Sequence, residues 1–135
     1  MRKMKGFTLL ELMIVVVVVA VLSTIAMVSY GNYGYRARRA EGREMLMRVA
    51  AAQERHYSNF NRYGSLADLG FAGTVASEKG YYTIASALGA KDLTFTLTAT
   101  PQKAQAKDAC GALTYDNAGA KGPAPVAAHT NGACW

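Results

Sequence analysis

Residues 5–28 read KGFTLLELMIVVVVVAVLSTIAMV, an apolar run that starts directly behind a short basic leader and carries one charge of its own, Glu11. From Phe7 to Val28 there are 22 residues without Lys, Arg, Asp, Pro or Gly. As a helix that run spans roughly 33 Å, slightly more than the hydrocarbon core of a bilayer. Val15 to Val19 alone would favour a strand in water, but lipid offers backbone amides no partner, and only a helix satisfies them within one segment. The pattern therefore predicts a membrane-crossing helix. A cleaved secretory signal would need a shorter apolar core followed by an A-x-A-like site, and Ser29-Tyr30-Gly31 is a poor one.

A carboxylate inside an apolar helix costs about 2.5–3.5 kcal/mol at mid-bilayer and less near an end, where it can reach the headgroups. Glu11 is thus a candidate functional residue. Cutting between Gly6 and Phe7 would turn the neutral Phe7 amide nitrogen into an ammonium, the cation that Glu11 lacks. Helical side chains lean toward the N-terminus, so Glu11 could meet its own new amine or, between staggered helices, that of a neighbour.

Lys5-Gly6-Phe7-Thr8-Leu9-Leu10-Glu11 resembles the class III (prepilin) signal of type IV pilins and the related pseudopilins. The resemblance implies cleavage between Gly6 and Phe7 by a prepilin peptidase, N-methylation of Phe7, and a role for Glu11 in recruiting and registering subunits in a helical filament. It implies a cytoplasmic leader over residues 1–6, a transmembrane and filament-core helix over 7–28, an amphipathic continuation over 29–57 and a periplasmic head over 58–135. The expected partners are other pilin subunits, the peptidase, the inner-membrane assembly machinery, and the membrane itself through Phe7 to Val28. The expected location is the bacterial inner membrane, single-pass with a periplasmic C-terminal head, and then an extracellular pilus.

The apolar segment absorbs much of the hydrophobic content of this 135-residue chain and leaves a modest core, enough for one small domain. The formal charge is +6, but removing Arg2, Lys3 and Lys5 with the leader leaves 12 basic against 9 acidic side chains, or +3. That is a weak pointer to anionic partners such as DNA. Cys110 and Cys134 would close a loop worth roughly 3.5 kcal/mol in the chain-entropy model. A bridge needs an oxidising compartment and is favoured over two free thiols. His129 lies between the cysteines, yet the spacing fits no usual structural zinc pattern. Orientation carries a conflict: Arg36, Arg38, Arg39 and Arg43 beyond the apolar run outnumber the three leader cations, so a simple positive-inside count points the head inward. Large domains translocate largely regardless of charge, and the cysteines and the prepilin signal both require the head outside.

Beyond the run, Tyr30, Tyr33 and Tyr35 suit a membrane-surface belt, with filament packing the competing explanation, and Gly31 and Gly34 weaken the helix enough for a bend or a locally extensible stretch. Many type IV pilins carry a proline where this chain has Val28. Met45, Val49, Ala52 and His56, with Leu46, Ala50 and Tyr57 beside them, form one apolar stripe that should pack on a sheet. Arg36, Arg39, Arg43 and a Glu44–Arg48 pair are expected on the remaining, solvated surface. Residues 58–80 read as a connecting loop with one short turn capped by Ser65. Leu93, Phe95, Leu97 and Ala99 alternate with threonines, a strand with one buried face; Tyr81 to Ala87 is its expected partner across a Leu88–Asp92 turn. Gly111 to Tyr115 would add a third strand before a turn at Asp116 to Gly119. The tail from Ala118 to Trp135 is too poor in large apolar residues to hold itself, so the disulfide is its expected main tether. The fold class is therefore α+β: a long N-terminal helix, membrane-spanning in its first half, packed on a small antiparallel sheet. The cysteine pair matches the disulfide-bounded C-terminal loop of type IVa pilins.

No nucleophile triad, phosphate loop or acidic metal cage is suggested, so neither an enzyme nor a cofactor is expected. His56 on the apolar stripe reads as a packed histidine and His129 as an exposed loop residue. LTFTLTATP (Leu93 to Pro101), KDACGALT (Lys107 to Thr114) and the terminal Cys134-Trp135 resemble PilE-like minor pilins. That resemblance implies a low-copy structural subunit that is incorporated into, or primes assembly of, a type IV pilus used for twitching motility and adhesion. A major pilin, a type II secretion pseudopilin, and a DNA- or surface-binding tip module using Arg36, Arg38, Arg39 and Arg43 or the C-terminal loop are the alternatives.

Overall fold

The computed structural model describes residues 6–71, 74–123 and 132–135, with the backbone alone at Val28 and Ser29. The leader cations Arg2, Lys3 and Lys5, and His129, lie outside the described residues. The chain divides into two compact units, Met1–Gly34 and Tyr35–Trp135. One helix, α1 (Leu9–Phe60, 52 residues), contributes to both.

In the first unit the large apolar side chains from Phe7 to Met27 are uncovered, from 50% exposed at Val18 to 83% at Phe7. The helix is long and apolar enough to cross a membrane. The hydroxyls of Ser23 and Thr24 donate to the carbonyls of Val19 and Val21, each at 2.7 Å, so these polar groups are satisfied within the helix. Helical structure runs through Gly31 and Gly34, so neither glycine ends α1. It ends at Phe60, three residues past the expected boundary, where Asn61 turns to φ 52 and donates its amide to the Tyr57 carbonyl at 2.8 Å. Asparagine tolerates this left-handed closing position better than most residues.

Among the described residues the second unit is built on a five-stranded antiparallel meander. Its strands are β1 (Val75–Ala76), β2 (Tyr82–Leu88), β3 (Phe95–Pro101), β4 (Leu113–Asp116) and β5 (Lys121–Gly122). The three longer strands fall within two residues of their expected positions. The two short ones were not legible, because two residues carry no period. On β3, Phe95, Leu97 and Ala99 are buried and pack with Leu46, Val49 and Ala50 of α1 and with Tyr82, Ile84 and Leu113. Leu93 corrects the expected alternation. It is 49% exposed and belongs to the turn, its amide bonded to the Ala90 carbonyl, because the chain coils through a 3-10 turn at Ala90–Asp92 before β3 begins.

The helical stripe also differs from expectation at its edges. Met45 and His56 are half-buried, Tyr57 is exposed, and Arg39 and Gln53 are fully buried. Positions 39, 42, 46, 49 and 53 follow helical spacing, so the packed face carries a polar residue at each end. Gly42 sits in that face, and a Cβ there would lie 3.0 Å from the Tyr82 ring; the glycine permits the close approach. In the segment after α1, Ser65 donates its amide and hydroxyl to Asp68 at 2.9 and 2.7 Å, and the Asp68 amide returns a bond at 3.3 Å. These bonds, the Ser65 hydroxyl first, hold the Asp68 carboxyl below the usual carboxylate range. The Asp116 turn is present as well, with Asp116 Oδ1 accepting from the amides of Ala118 and Ala120.

Candidate functional site

Gly6, Phe7 and Thr8 precede the helix and carry no regular structure. Thr8 caps α1: its Oγ1 accepts the Glu11 amide at 3.2 Å and its carbonyl accepts the Leu12 amide at 3.2 Å. With Leu9 as the first helical residue, Thr8-Leu9-Leu10-Glu11 has the spacing of a capping box, and the Glu11 carboxylate stands in the first turn, where unpaired backbone amides favour an anion. A Cβ at Gly6 would meet nothing within 4 Å. Packing against the described residues therefore does not require glycine there. Among the described residues no cation pairs with Glu11.

The second group of interest lies around the cysteines. Cys110 and Cys134 form a disulfide. Arg39 reaches it from α1: Nε and one terminal nitrogen donate to the two Asp108 carboxylate oxygens at 2.7 and 2.6 Å. The other terminal nitrogen donates to the carbonyls of Gly132 and Ala133 at 3.2 and 3.0 Å. The guanidinium thus grips both sides of the disulfide, just before each cysteine, and its pairing with Asp108 raises its already high pKa. Gln105 donates to Asp108 Oδ2 at 2.8 Å, to the Tyr82 hydroxyl at 3.0 Å and to the Tyr35 carbonyl at 3.3 Å, while its own Oε1 has no partner among the described residues. Trp135 donates its indole N–H to the Gly122 carbonyl at 2.7 Å. The disulfide therefore shares the tethering of the tail with Arg39 and Trp135. Arg39 leaves the group of solvated arginines in which the sequence placed it. Asp108, Gln105 and Gln53 gave no signal except that Arg39 and Gln53 continue the apolar spacing.

The solvent-facing cations are the third group. The Arg38 guanidinium carbon lies 4.6 Å and the Lys103 Nζ 5.9 Å from the centre of the Tyr81 ring, and Lys103 Nζ donates to the Lys79 carbonyl at 3.3 Å. Lys121 Nζ stands 5.4 Å over the Trp135 ring. Arg36 is exposed and Arg43 half-buried. His56 stacks on Phe60 and points Nδ1 at the Arg62 carbonyl at 2.9 Å, the packing role expected of it.

Residues 28–114 match the family described as "Type IV minor pilin ComP, DNA uptake sequence receptor". Residues 1–27 match the prokaryotic N-terminal methylation motif. A type IV pilin from Shewanella oneidensis has a similar structure, at 30% identity, with a TM-score of 0.57 over 75% of this chain and 97% of that one. No curated protein sequence matches significantly.

Proposed function

The chain belongs to the type IV minor pilin family and is a minor pilin subunit of a type IV pilus, and we propose that it is made as a precursor, cut between Gly6 and Phe7, methylated on Phe7, and drawn from the inner membrane into the filament by Glu11. The observation that carries this reading is the uncovered apolar surface from Phe7 to Met27, which begins at a capped helix start with a single acid in its first turn. Such a surface is stable only in lipid or against other helices of its kind. Cleavage at the unstructured Gly6–Phe7 bond frees an amine close to the membrane face, and the Glu11 carboxylate of an adjacent subunit neutralises it. The disulfide supports a head on the oxidising, periplasmic side. The role in twitching motility and adhesion follows from the same reading.

Three experiments test it. Glu11→Ala should leave cleavage intact, by mass of the N-terminal peptide, while lowering the subunit's share of sheared filaments at least about tenfold; normal incorporation would overturn the pairing. Replacing Gly6 with a bulky residue should leave the leader attached without harming the fold, since that position is open. A protease-protection assay on spheroplasts reads the orientation: a head that stays intact until lysis would defeat it.

A second reading, DNA capture by the head, is favoured by the matched family's description and by the pair of cations, Arg38 and Lys103, over the Tyr81 ring. Cations beside an aromatic face suit phosphate and base contacts. Binding of the purified protein to duplexes of different sequence, measured across salt concentrations, decides it. A DNA-receptor role requires a preference among sequences at equal salt. A salt-dependent affinity without preference would reduce the pair to non-specific attraction.

A further inference from the structure

A groove of about 410 Å³ runs between α1 and the first strand, with Glu41, Glu44, Met45 and Arg48 on the helix side and Ala76 to Glu78 on the other. Among the described residues β1 is an edge of the sheet. The Ser77 amide donates to the Tyr82 carbonyl at 2.9 Å, while Ala76 stands opposite Thr83. Antiparallel pairs alternate between bonded and non-bonded, so the N–H and C=O of Ala76 point away from β2, to the open edge that lines the groove.

The charges choose among occupants. Three carboxylates and one guanidinium line the groove on a chain whose formal charge is +6. Glu44 is engaged by Arg48 at 3.2 Å, and Glu41, only 18% exposed, faces Lys79 at 3.8 Å. Glu78 has no ion pair among the described residues. Met45, packed against the core, supplies the apolar surface between them. Nucleic acid is repelled here; an extended polypeptide with a basic side chain is matched both in backbone and in charge.

We propose that this groove receives an extended segment of a neighbouring pilin subunit, which adds to the edge of β1 through Ala76 and sets a Lys or Arg between Glu41 and Glu78. Main-chain pairing supplies the attachment and the two glutamates the selection. Family membership enters only in naming the source of the segment. The contact lies on the α1–β1 side of the second unit and involves neither Glu11 nor the Tyr81 cations, so it can fail while both functional readings stand.

The test uses the full chain in detergent and fluorescence anisotropy of a labelled heptapeptide of alternating Ala and Lys. Two peptides serve as controls, one with Glu in place of Lys and one N-methylated at alternate residues, which keeps the charge and loses strand pairing. The Lys peptide should bind, and N-methylation should weaken it at least about tenfold. Ala76→Pro removes one outward N–H without touching the ladder to β2 and should have a comparable effect; Glu78→Lys and Glu41→Gln should weaken binding as well. Unchanged melting curves confirm that the variants are folded. In filaments, a photo-crosslinking benzoylphenylalanine in place of Ala76 should capture a pilin segment containing a Lys or Arg. Equal binding of the N-methylated or Glu peptide, or crosslinks to DNA, to a non-pilin protein or to nothing, would overturn the proposal.

Discussion

Arg39 and Asp108 are both completely withdrawn from solvent, and their pairing is bidentate. Such a pair adds little or no net stability over a well-packed apolar replacement, but losing one member leaves a buried charge uncompensated. Arg39→Ala should therefore cost about 3–5 kcal/mol, read as a lower denaturant midpoint. Arg39→Lys should recover little, because an ammonium cannot bond both Asp108 oxygens and still reach the Gly132 and Ala133 carbonyls. Tyr82, in contact with the same group through Gln105, gives a pH signature. Burial pushes its hydroxyl above the ordinary tyrosine value, and the Gln105 bond offsets part of that rise. The unfolded chain ionises this tyrosine first, so its contribution to stability is complete below about pH 10 and is lost as pH rises through the higher folded value. Tyr82→Phe should flatten the fall in melting temperature above about pH 10, leaving the smaller slope due to Tyr63, whose hydroxyl burial also raises.

At the scale of the element, α1 combines an apolar half, read directly from composition, with an amphipathic half that was read only in its middle. Leu46, Val49 and Ala52 announced the packed face by their spacing. Arg39 and Gln53 sit on that face, yet a polar residue at a core position looks like a surface residue until its partners are known, and those lie 69 positions away for Arg39 and 11 for Gln53. Strands behaved the same way: β3 was legible from three threonines alternating with three buried residues, whereas β1 and β5 exist because their neighbours pair with them. Gly31 and Gly34 lie within the continuous helix, and a Cβ at either would meet nothing within 4 Å among the described residues. Gly31→Ala and Gly34→Ala should each stabilise the helix locally by about 1 kcal/mol, seen as slower amide exchange around residues 30–38. Unchanged or faster exchange would mean that the glycines serve a second conformation.

For the whole molecule, the cysteine pair and the arginine clasp close the same part of the chain by independent means. Replacing both cysteines with serine should cost about 3.5 kcal/mol by the chain-entropy argument. Because Arg39 and Trp135 still hold the tail, near-native circular dichroism should survive at moderate temperature; combining the change with Arg39→Ala should lose more than the two effects added separately, since both changes release the same segment. Additive losses would show that the two fastenings act on different parts of the fold. Traction applied along α1 from its Phe7 end meets Arg39 before it meets Leu46 or Val49. The guanidinium is then the first buried ion pair to come under tension, after the lone Gln105–Tyr35 bond and the Arg38–Tyr81 contact, and it hands the pull to a segment that is covalently stapled to itself. Single-molecule stretching should find that breaking this joint, rather than peeling the apolar layer behind it, sets the rupture force.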